Sequence, residues 1–330
     1  MKKAESSGVL KAREKHEDKK MRKIKITGCA AVLPDGGKVK FGSQTRYRLQ
    51  KGQTLLDLAE RAAMGALCDA GLDIREIDLI IAGMATPLQA IPCNAALIHE
   101  RIAKGTDIPA MDINTSCTSF ITAFDMAAYL TDSGRYKNIL IVSGDTASAA
   151  LNPKQRESYE LFSDAAAAFV VSGTDEDSGV LFAAQKTWSE GAHDTEIRGG
   201  CALESAFEMN EENRDDYYFD MKGLRVLRLC AHNLPSFFEK SIKSSGMSFD
   251  DIALVIPHQA SKALGYIMPR LGIGKDKYID RVKDYGNMIS ASVPFMLCAA
   301  IHENKIRHGD NVMLTGTAAG LTCNILIFRY

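Results

Sequence analysis

The sequence predicts an α/β fold with largely buried sheets, built from two similar halves. Short apolar runs alternate along the chain with stretches of helical periodicity. Runs that are apolar throughout are typical of strands covered by helices on both faces of a sheet. Blocks in the two halves also match each other, which indicates two copies of one α/β unit.

Six segments have the composition of strands, and helical stretches separate them. They are RKIKITGCAAV (22–32), LIIAGMA (79–85), NILIVSGDTA (138–147), AAAFVVSG (166–173), ALVIPHQA (253–260) and NVMLTG (311–316). This alternation is the basis of the predicted α/β architecture.

The duplication rests on GLDIREIDLIIAG (71–83) and GMSFDDIALVIPH (246–258), whose apolar residues have the same spacing. A second pair of matching strands follows, beginning at Asn138 and at Asn311, after nearly equal intervals. One match could be chance, because βα units resemble one another. Two matched blocks at similar spacing favour duplication.

The chain is predicted to divide into a leader (1–20), an N-terminal half (21–178) and a C-terminal half (179–330), with the polar turn TDEDSG (174–179) at the seam. The leader is rich in charged residues and serine and lacks the apolar core of a signal peptide. We expect a disordered tail or an upstream start-site artefact. A ligand site is expected where the halves meet, at the carboxyl ends of strands.

Composition argues against several classes of function. Forty Lys and Arg residues against 41 Asp and Glu residues leave a formal charge of −1, which gives no bulk attraction to nucleic acid or anionic membrane. No apolar run reaches the roughly 18 residues of a membrane-spanning helix, so a cytoplasmic protein is expected. The eight cysteines form no CxxC pair, and we interpret them as reduced thiols without a metal site.

One cysteine is a candidate nucleophile. The segment AMDINTSCTSFITAFDMAAYLTDSG (110–134) passes from a strand-like start into a helical pattern, which puts Cys117 near a helix N-terminus. Unpaired N–H groups and the helix dipole are expected to lower the pKa of its thiol. The N–H of Cys117 could also face a carbonyl oxygen. The alternative is a buried structural cysteine at a crowded corner.

Two polar residues of the C-terminal half are candidate partners. His258 ends an apolar strand, a position suited to catalysis, although hydrogen-bonded core histidines are commoner. Asn287 lies in DYGNMISASVP (284–294), where Gly286 permits an unusual backbone turn. Taken alone, Asn287 is a turn asparagine.

Four blocks, NTSCTSF, IPHQAS, YGNMISASVP and TGTAAGLT (315–322), resemble in this order the β-ketoacyl-acyl-carrier-protein synthase III group of the thiolase superfamily. The likeness extends from about Met21 to Tyr330. It implies an α/β, thiolase-like five-layered αβαβα fold from two duplicated halves, and a homodimer. It also implies that coenzyme A thioesters are substrates and that no cofactor is resident.

By this likeness, Cys117 takes an acyl group from a coenzyme A or carrier-protein thioester. His258 and Asn287 then hold the carbonyl of a malonyl unit and stabilise the enolate that forms as carbon dioxide leaves. The glycine-rich turn of the family corresponds to GTAAGLT. The resemblance therefore implies an oxyanion hole made by the backbone N–H groups of Cys117 and Ala319.

The likeness assigns three further residues to substrate binding. Arg156, in NPKQRESYELFSD (152–164), takes the position of an arginine that contacts the nucleotide of coenzyme A. Arg228, in FDMKGLRVLR (219–228), takes that of a basic residue that helps to dock the carrier protein. Either arginine could instead be a solvated surface charge. Ile91 falls where the family closes the partner's acyl tunnel, often with phenylalanine, but it could equally be an interface or core aliphatic.

The sequence departs from the family pattern near the predicted primer-binding surface. The tryptophan that stacks on the adenine of coenzyme A is not recognisable in residues 33–55, and the chain's one tryptophan is Trp188. Ala263 replaces an expected basic residue, although Lys262 is adjacent, and FSDAAAA (162–168) stands in place of FGDGAGA. These departures leave both fatty acid initiation and a specialised lipid or polyketide pathway open.

Two other functions also stay open. One is non-decarboxylative acyl transfer or acyl–acyl condensation in secondary metabolism. Relatives of that kind often change the histidine or asparagine or add a carboxylate near the cysteine, and none of these changes is obvious here. The other is an inactive thiolase-fold subunit that binds acyl-carrier protein. Retention of Cys117, His258 and Asn287 argues against it.

Overall fold

The structure, a computed structural model, describes residues 21–330. The predicted leader, 1–20, lies outside the described residues. The strands are β1 Arg22–Lys23, β2 Lys25–Val32, β3 Lys38–Phe41, β4 Gln44–Tyr47, β5 Leu79–Ala82, β6 Ala110–Asp112, β7 Asn138–Asp145, β8 Ala165–Ser172, β9 Gly179–Thr187, β10 Thr195–Glu196, β11 Asp220–Met221, β12 Leu254–Pro257, β13 Asn311–Ala318 and β14 Thr322–Arg329. The helices are α1 Leu55–Ala70, α2 Asn94–Ile102, α3 Ser119–Asp132, α4 Arg156–Tyr159, α5 Gly223–Ser245, α6 Leu264–Arg270, α7 Val282–Tyr285 and α8 Ser292–His302.

Two five-stranded sheets form the centre of the molecule. The first has the order β2-β8-β7-β5-β6, and the second has the order β1-β9-β14-β13-β12. In the first sheet β5 is parallel to β7, while β8 is antiparallel to both β7 and β2. In the second, β12 is parallel to β13, while β14 is antiparallel to both β13 and β9. The order β2-β8-β7-β5 thus has the same topology as β9-β14-β13-β12, which confirms the predicted duplication.

The helices complete five layers. Helices α1 and α2 cover the outer face of the first sheet, α3 and α8 lie between the two sheets, and α5 and α6 cover the outer face of the second sheet. The predicted αβαβα arrangement is therefore present. The boundary at residue 178 stays a prediction, and β1 crosses it by pairing with β9.

The middle layer holds the start of α3 firmly between the sheets. Phe120 packs against Phe169 of the first sheet with ring centroids 5.0 Å apart, and Phe124 packs against Phe328 of the second sheet at 5.3 Å. Because α3 has aromatic contacts with both sheets, its N-terminus has little freedom to move relative to either half.

Helix α1 begins with a capping box. The Thr54 hydroxyl accepts a hydrogen bond from the Asp57 N–H, and the Asp57 carboxylate accepts one from the Thr54 N–H. Gly71 ends the helix in the left-handed region, at φ 67°. The helix packs on β2 and β8.

Within residues 21–330, no helix is both long and apolar enough to span a membrane.

Candidate active site

Cys117 lies in a 3-10 turn immediately before α3, as the sequence predicted. The Asn114 side chain accepts a hydrogen bond from the Ser116 N–H at 2.8 Å, and the Ser119 hydroxyl accepts one from the Thr115 N–H at 3.0 Å. Ser116 adopts φ 55°, in the left-handed region. Two side chains therefore fix the turn that presents the thiol.

The same turn recurs in the second half, immediately before α8. The Asn287 side chain accepts a hydrogen bond from the Ile289 N–H at 2.8 Å, and the Ser292 hydroxyl accepts one from the Met288 N–H at 2.9 Å. Ile289 adopts φ 49°, close to the value at the equivalent position of the first turn. The two turns are structural copies.

This repetition gives each candidate residue a counterpart in the other half. Asn287 corresponds to Asn114, and Ser290 corresponds to Cys117. The two turns contact each other across the middle layer. This match was not predicted from the sequence, although NTSCTS and NMISAS share Asn and Ser at the same positions.

Ser290 is held by a buried carboxylate. Asp145, at the end of β7, accepts hydrogen bonds from the Ser290 hydroxyl at 2.5 Å and the Ser290 N–H at 3.1 Å. It also accepts one from the Thr86 hydroxyl at 2.7 Å. Burial raises the pKa of Asp145, although these donors oppose the increase. The counterpart of the nucleophile therefore has a structural partner, and Asp145 fixes the Asn287 turn to the first sheet.

His258 lies close to the Cys117 turn because the residue between them, on the neighbouring strand, is a glycine. A Cβ atom at Gly316 would lie 2.6 Å from the His258 Cβ and 3.3 Å from the Thr118 Cγ2. No larger residue would fit between the histidine and the turn. The His258 N–H donates to the Thr315 carbonyl oxygen at 2.8 Å, which fixes the backbone at the end of β12.

The Asn287 side chain lies beside the His258 loop. Its Nδ2 donates to the carbonyl oxygen of Ala260 at 3.2 Å. The Asn287 backbone pairs with the segment on its other side, donating to Leu161 at 3.0 Å and accepting from Ser163 at 2.8 Å. The structure thus brings all three predicted catalytic residues to the junction of the two halves.

Arg46 supports the turn before Asn287 and was missed by sequence analysis. Its side chain is fully buried. The guanidinium donates to the carbonyl oxygens of Glu160 at 2.8 Å and Val282 at 3.1 Å. A Cβ at Gly286, where φ is 71°, would lie 2.6 Å from the Arg46 Cδ. Gly286 is therefore required both by the turn, as predicted, and by the arginine packed beneath it.

The backbone N–H groups predicted for the oxyanion hole both face the candidate nucleophile. Hydrogen bonds from the N–H of Ala319 and from the N–H of Cys117 itself favour the Cys117 thiolate, as does the Ser116 hydroxyl. Ala319 follows β13, so the second half supplies one donor and the first half supplies the other. Two N–H groups that converge beside the sulfur are suited to hold the carbonyl oxygen of an acyl group that the sulfur attacks.

Burial controls the charge of the Cys117 thiol and of the His258 imidazole. Although Cys117 keeps some exposure, burial raises the pKa of its thiol to about 11, against the hydrogen bonds that lower it. The expected lowering of this pKa is wrong, because loss of hydration outweighs the hydrogen bonds that favour the thiolate. Burial also lowers the pKa of His258 to about 4. At neutral pH the site therefore holds a thiol and an uncharged imidazole.

The imidazole has room for a substrate group. Its Nδ1 is buried without a hydrogen-bond partner in residues 21–330. A cavity of about 50 Å³ adjoins His258, and its apolar walls come from α5 and α6. The lining includes Leu234, Phe238, Leu264 and Met268. This space can receive an apolar part of a ligand that hydrogen-bonds near His258.

Comparison with known proteins establishes the family. A family model of the C-terminal part of 3-oxoacyl-[acyl-carrier-protein (ACP)] synthase III matches residues 242–330, and a model of 3-oxoacyl-[acyl-carrier-protein (ACP)] synthase III matches residues 111–189. A β-ketoacyl-[acyl-carrier-protein] synthase III of Clostridium perfringens is 34% identical over 292 residues, which cover 88% of this chain and 89% of that protein. The chain belongs to the β-ketoacyl-acyl-carrier-protein synthase III family.

A second relative and a solved structure agree with this assignment. The β-ketoacyl-[acyl-carrier-protein] synthase III of Aquifex aeolicus is 31% identical over 284 residues, 86% of each chain. The crystal structure of 3-oxoacyl-[acyl-carrier-protein] synthase III from the same organism covers 93% of this chain and 100% of its own, with a TM-score of 0.81 and 26% identity. The predicted thiolase-like fold is confirmed.

The three residues assigned to substrate binding lie on the surface of the β-ketoacyl-acyl-carrier-protein synthase III fold. Arg156 is exposed and donates to the Glu160 carboxylate at 2.7 Å. Arg228 is exposed on α5. Ile91 is 82% exposed in the loop before α2. Their predicted ligands and partner lie outside a single chain, so their roles stay predictions.

Because the pKa of the Cys117 thiol is raised, the reactivity of Cys117 should depend on pH. We expect alkylation of Cys117 by iodoacetamide to become faster by roughly tenfold per pH unit between about pH 7 and about pH 10, because the thiolate fraction grows by that factor below the pKa. Mass spectrometry of the Cys117 peptide measures the rate, and the peptide containing exposed Cys201 is an internal control. A Cys117 rate that is already constant at pH 7 would contradict a pKa near 11.

Proposed function

We propose that this chain is a decarboxylating condensing enzyme that takes an acyl group on Cys117 and joins it to a malonyl thioester. One observation carries the proposal. The turn that bears Cys117 contacts the turn that bears Asn287, while Gly316 lets His258 approach the same point. A nucleophile and two neutral hydrogen-bonding side chains thus face one site, which the duplicated fold assembles from both halves.

The first half-reaction is acyl transfer. The Cys117 sulfur attacks the thioester carbonyl, and the oxyanion that forms accepts hydrogen bonds from the N–H groups of Cys117 and Ala319. The donor thiolate then leaves and takes up the proton that the Cys117 thiol has lost. The acyl group remains on Cys117 as a new thioester, so the energy of the thioester bond is conserved for the second step.

The second half-reaction is decarboxylation followed by carbon–carbon bond formation. His258 and Asn287 donate hydrogen bonds to the carbonyl oxygen of the malonyl thioester, and this oxygen becomes negatively charged as carbon dioxide leaves. The enolate carbon attacks the acyl group and the Cys117 thiolate departs. Because the pKa of His258 is lowered to about 4, the imidazole is uncharged and stabilises the enolate without protonating it.

The proposed substrates are an acyl-coenzyme A primer and a malonyl-acyl-carrier protein, and the proposed pathway is fatty acid initiation or a related lipid pathway. Relatives named β-ketoacyl-[acyl-carrier-protein] synthase III support this choice. In the proposal, Arg156 binds the nucleotide end of coenzyme A and Arg228 helps to dock the carrier protein. The reaction as written uses no resident cofactor, and the active unit is a homodimer.

The test is to mix the purified protein with acyl-coenzyme A primers and malonyl-acyl-carrier protein and to follow the carrier protein by intact mass. We expect a β-ketoacyl product two carbons longer than the primer, together with release of carbon dioxide. A condensed product that retains the malonyl carboxyl carbon would favour the non-decarboxylative alternative. Binding of carrier protein with no covalent change on either protein would favour an inactive subunit.

Ile91 makes a second prediction, on primer length. If Ile91 enters the acyl tunnel of the partner subunit, isoleucine leaves more space than phenylalanine, and Ile91→Phe is expected to shift acylation toward short primers. One methylene in an apolar pocket contributes about 1–3 kcal/mol, so the preference should be graded. Acylation rates from acetyl through octanoyl donors measure the shift.

A volume-conserving variant serves as the control for this experiment. Ile91→Leu keeps the side-chain volume and should retain the wild-type chain-length profile, while both variants should accept acetyl groups normally. If Ile91→Phe has the same profile as the wild type and Ile91→Leu, the residue does not line the tunnel.

A further inference from the structure

A second cluster of reactive side chains lies at the other end of α8 from Asn287. It contains Cys29 of β2 together with Cys298 and His302 of α8. One donor atom from each residue lies within 4.8 Å of the others. Cys298 and His302 are four residues apart on a helix, so they share one face and can bind the same ligand. None of these residues takes part in the proposed chemistry at Cys117.

The distances within the cluster suit a small cation. The Cys29 sulfur is 3.8 Å from the His302 Nε2, and the Cys298 sulfur is 3.8 Å from the His302 Nδ1. The Asp69 carboxylate lies beside this group, with its Oδ2 3.8 Å from the same Nε2, although it is not one of the three residues whose donor atoms all lie within 4.8 Å of one another. Ligands at about 2.0–2.3 Å from a tetrahedral zinc ion are about 3.3–3.8 Å apart. The Cys29 sulfur and the His302 Nε2 are therefore at the spacing of two zinc ligands, whereas the Cys298 sulfur, which lies nearest Nδ1, and the Asp69 carboxylate have to move toward Nε2 to complete the site.

The fold brings these donors together through close packing of β2 on α1. A Cβ at Gly28 would lie 2.4 Å from the carbonyl oxygen of Ala66, so only glycine permits this approach. A bulge in β2 lies between Ile26 and Gly28. The next residue, Cys29, donates its backbone N–H to the Asp69 Oδ2 at 2.9 Å. Three elements from both halves of the chain thus meet at the cluster.

The cysteines of the cluster are buried while its other side chains reach solvent, so an ion has a path to the sulfurs. Cys29 and Cys298 are buried, whereas the side chains of His302 and Asp69 are 52% and 47% exposed. An ion could therefore enter from solvent on the histidine side and reach the sulfurs.

We propose that Cys29, Cys298, His302 and Asp69 bind a thiophilic divalent cation, and specifically Zn²⁺. Two thiolates, a neutral imidazole bound through Nε2 and one carboxylate fill four positions with the soft and borderline donors that zinc prefers. The two thiol protons pass to solvent as the ion binds. Since the protein supplies every ligand, the ion is structural: it links the C-terminus of α8 to the first sheet and to α1.

The experiment uses the full chain, purified with reductant, incubated with Zn²⁺ and desalted. Elemental analysis is expected to find about one zinc ion per chain. Replacement by Co²⁺ should give the visible d–d bands of a tetrahedral site and a sulfur-to-cobalt charge-transfer band. The apparent affinity for zinc should increase with pH, because metal competes with protons for both sulfurs.

Variants locate the ion. Cys29→Ser and His302→Gln are expected to lower zinc affinity by tenfold or more, and His302 is exposed enough for its variant to fold. Cys68→Ser, which removes an exposed thiol next to Asp69 on α1, is the matched control and should retain the zinc. Cys117→Ala should retain it as well, which separates this site from the candidate nucleophile.

Three results would overturn the proposal. They are a wild-type protein that retains no zinc, zinc bound equally by the wild type and both ligand variants, and zinc lost only in Cys117→Ala. A Cys29–Cys298 disulfide found by peptide mapping after purification without reductant, combined with the absence of zinc in the reduced protein, would assign the pair to redox chemistry instead.

Discussion

Cys117→Ala and Cys117→Ser are expected to abolish stable acyl-enzyme formation while the protein stays folded. Sulfur attacks a thioester carbonyl readily and leaves readily as a thiolate, whereas alanine has no nucleophile and a serine hydroxyl at this turn has no strong base identified beside it. Intact mass after incubation with acyl-coenzyme A measures the effect, and circular dichroism verifies the fold. Condensation should fall with acylation, because the second half-reaction needs the acyl group.

The seven remaining cysteines provide the controls for this result. Cys201→Ser, which changes an exposed thiol far along the chain, should acylate like the wild type. Cys230 and Cys323 line the cavity beside His258, so they are the alternative acyl acceptors to be tested. Normal turnover of Cys117→Ala, with the acyl group found on either of them, would show that the nucleophile has been misassigned.

Substitution of His258 or Asn287 is expected to separate the two half-reactions. In His258→Ala and Asn287→Ala, acylation of Cys117 should persist at least in part, while carbon dioxide release from malonyl-acyl-carrier protein should fall roughly a hundredfold or more. The physical reason is that each variant removes one hydrogen-bond donor from the oxygen that becomes charged as the enolate forms. Labelled acyl and malonyl substrates follow the two half-reactions separately.

The Asn287→Asp variant tests whether Asn287 donates a hydrogen bond to the substrate or only stabilises its turn. The carboxylate keeps an oxygen that can accept from the Ile289 N–H, but it replaces the amide donor with a negative charge. We expect this variant to lose decarboxylation as fully as Asn287→Ala while its turn stays intact. Asn114→Ala, which removes the matching bond in the first turn, should instead impair acylation at Cys117. Unchanged carbon dioxide release in His258→Ala and Asn287→Ala would refute the proposed roles.

The parts of the fold that could be predicted from the sequence are those governed by local patterns. β8 is buried along its whole length and β7 is buried after its first residue, Asn138. The predicted segments 138–147 and 166–173 differ from these strands by at most two residues at either end. β9 and β14 were not predicted. Each follows a turn that we had interpreted only as a seam or as an oxyanion turn, although both are long strands of the second sheet.

The site shows the same division between local and distant causes. The position of Cys117 before α3 follows from a strand-to-helix transition within one segment. The pKa of its thiol depends on burial by distant parts of the chain, and there the prediction had the wrong direction. Arg46 and Asp145 hold the Asn287 turn through contacts with residues far away in sequence, which no short motif records.

In the proposed reaction, one acyl group on Cys117 is consumed for each malonyl unit that loses carbon dioxide. The most direct measurement is a single-turnover experiment in which acyl-loaded enzyme is mixed with malonyl-acyl-carrier protein, and the acylated Cys117 peptide, carbon dioxide and β-ketoacyl product are quantified in the same quenched samples. We expect the acyl group to leave Cys117 in equal amount and at the same rate as carbon dioxide and product appear. Discharge of the acyl group without release of carbon dioxide, or product formation while Cys117 stays acylated, would contradict it.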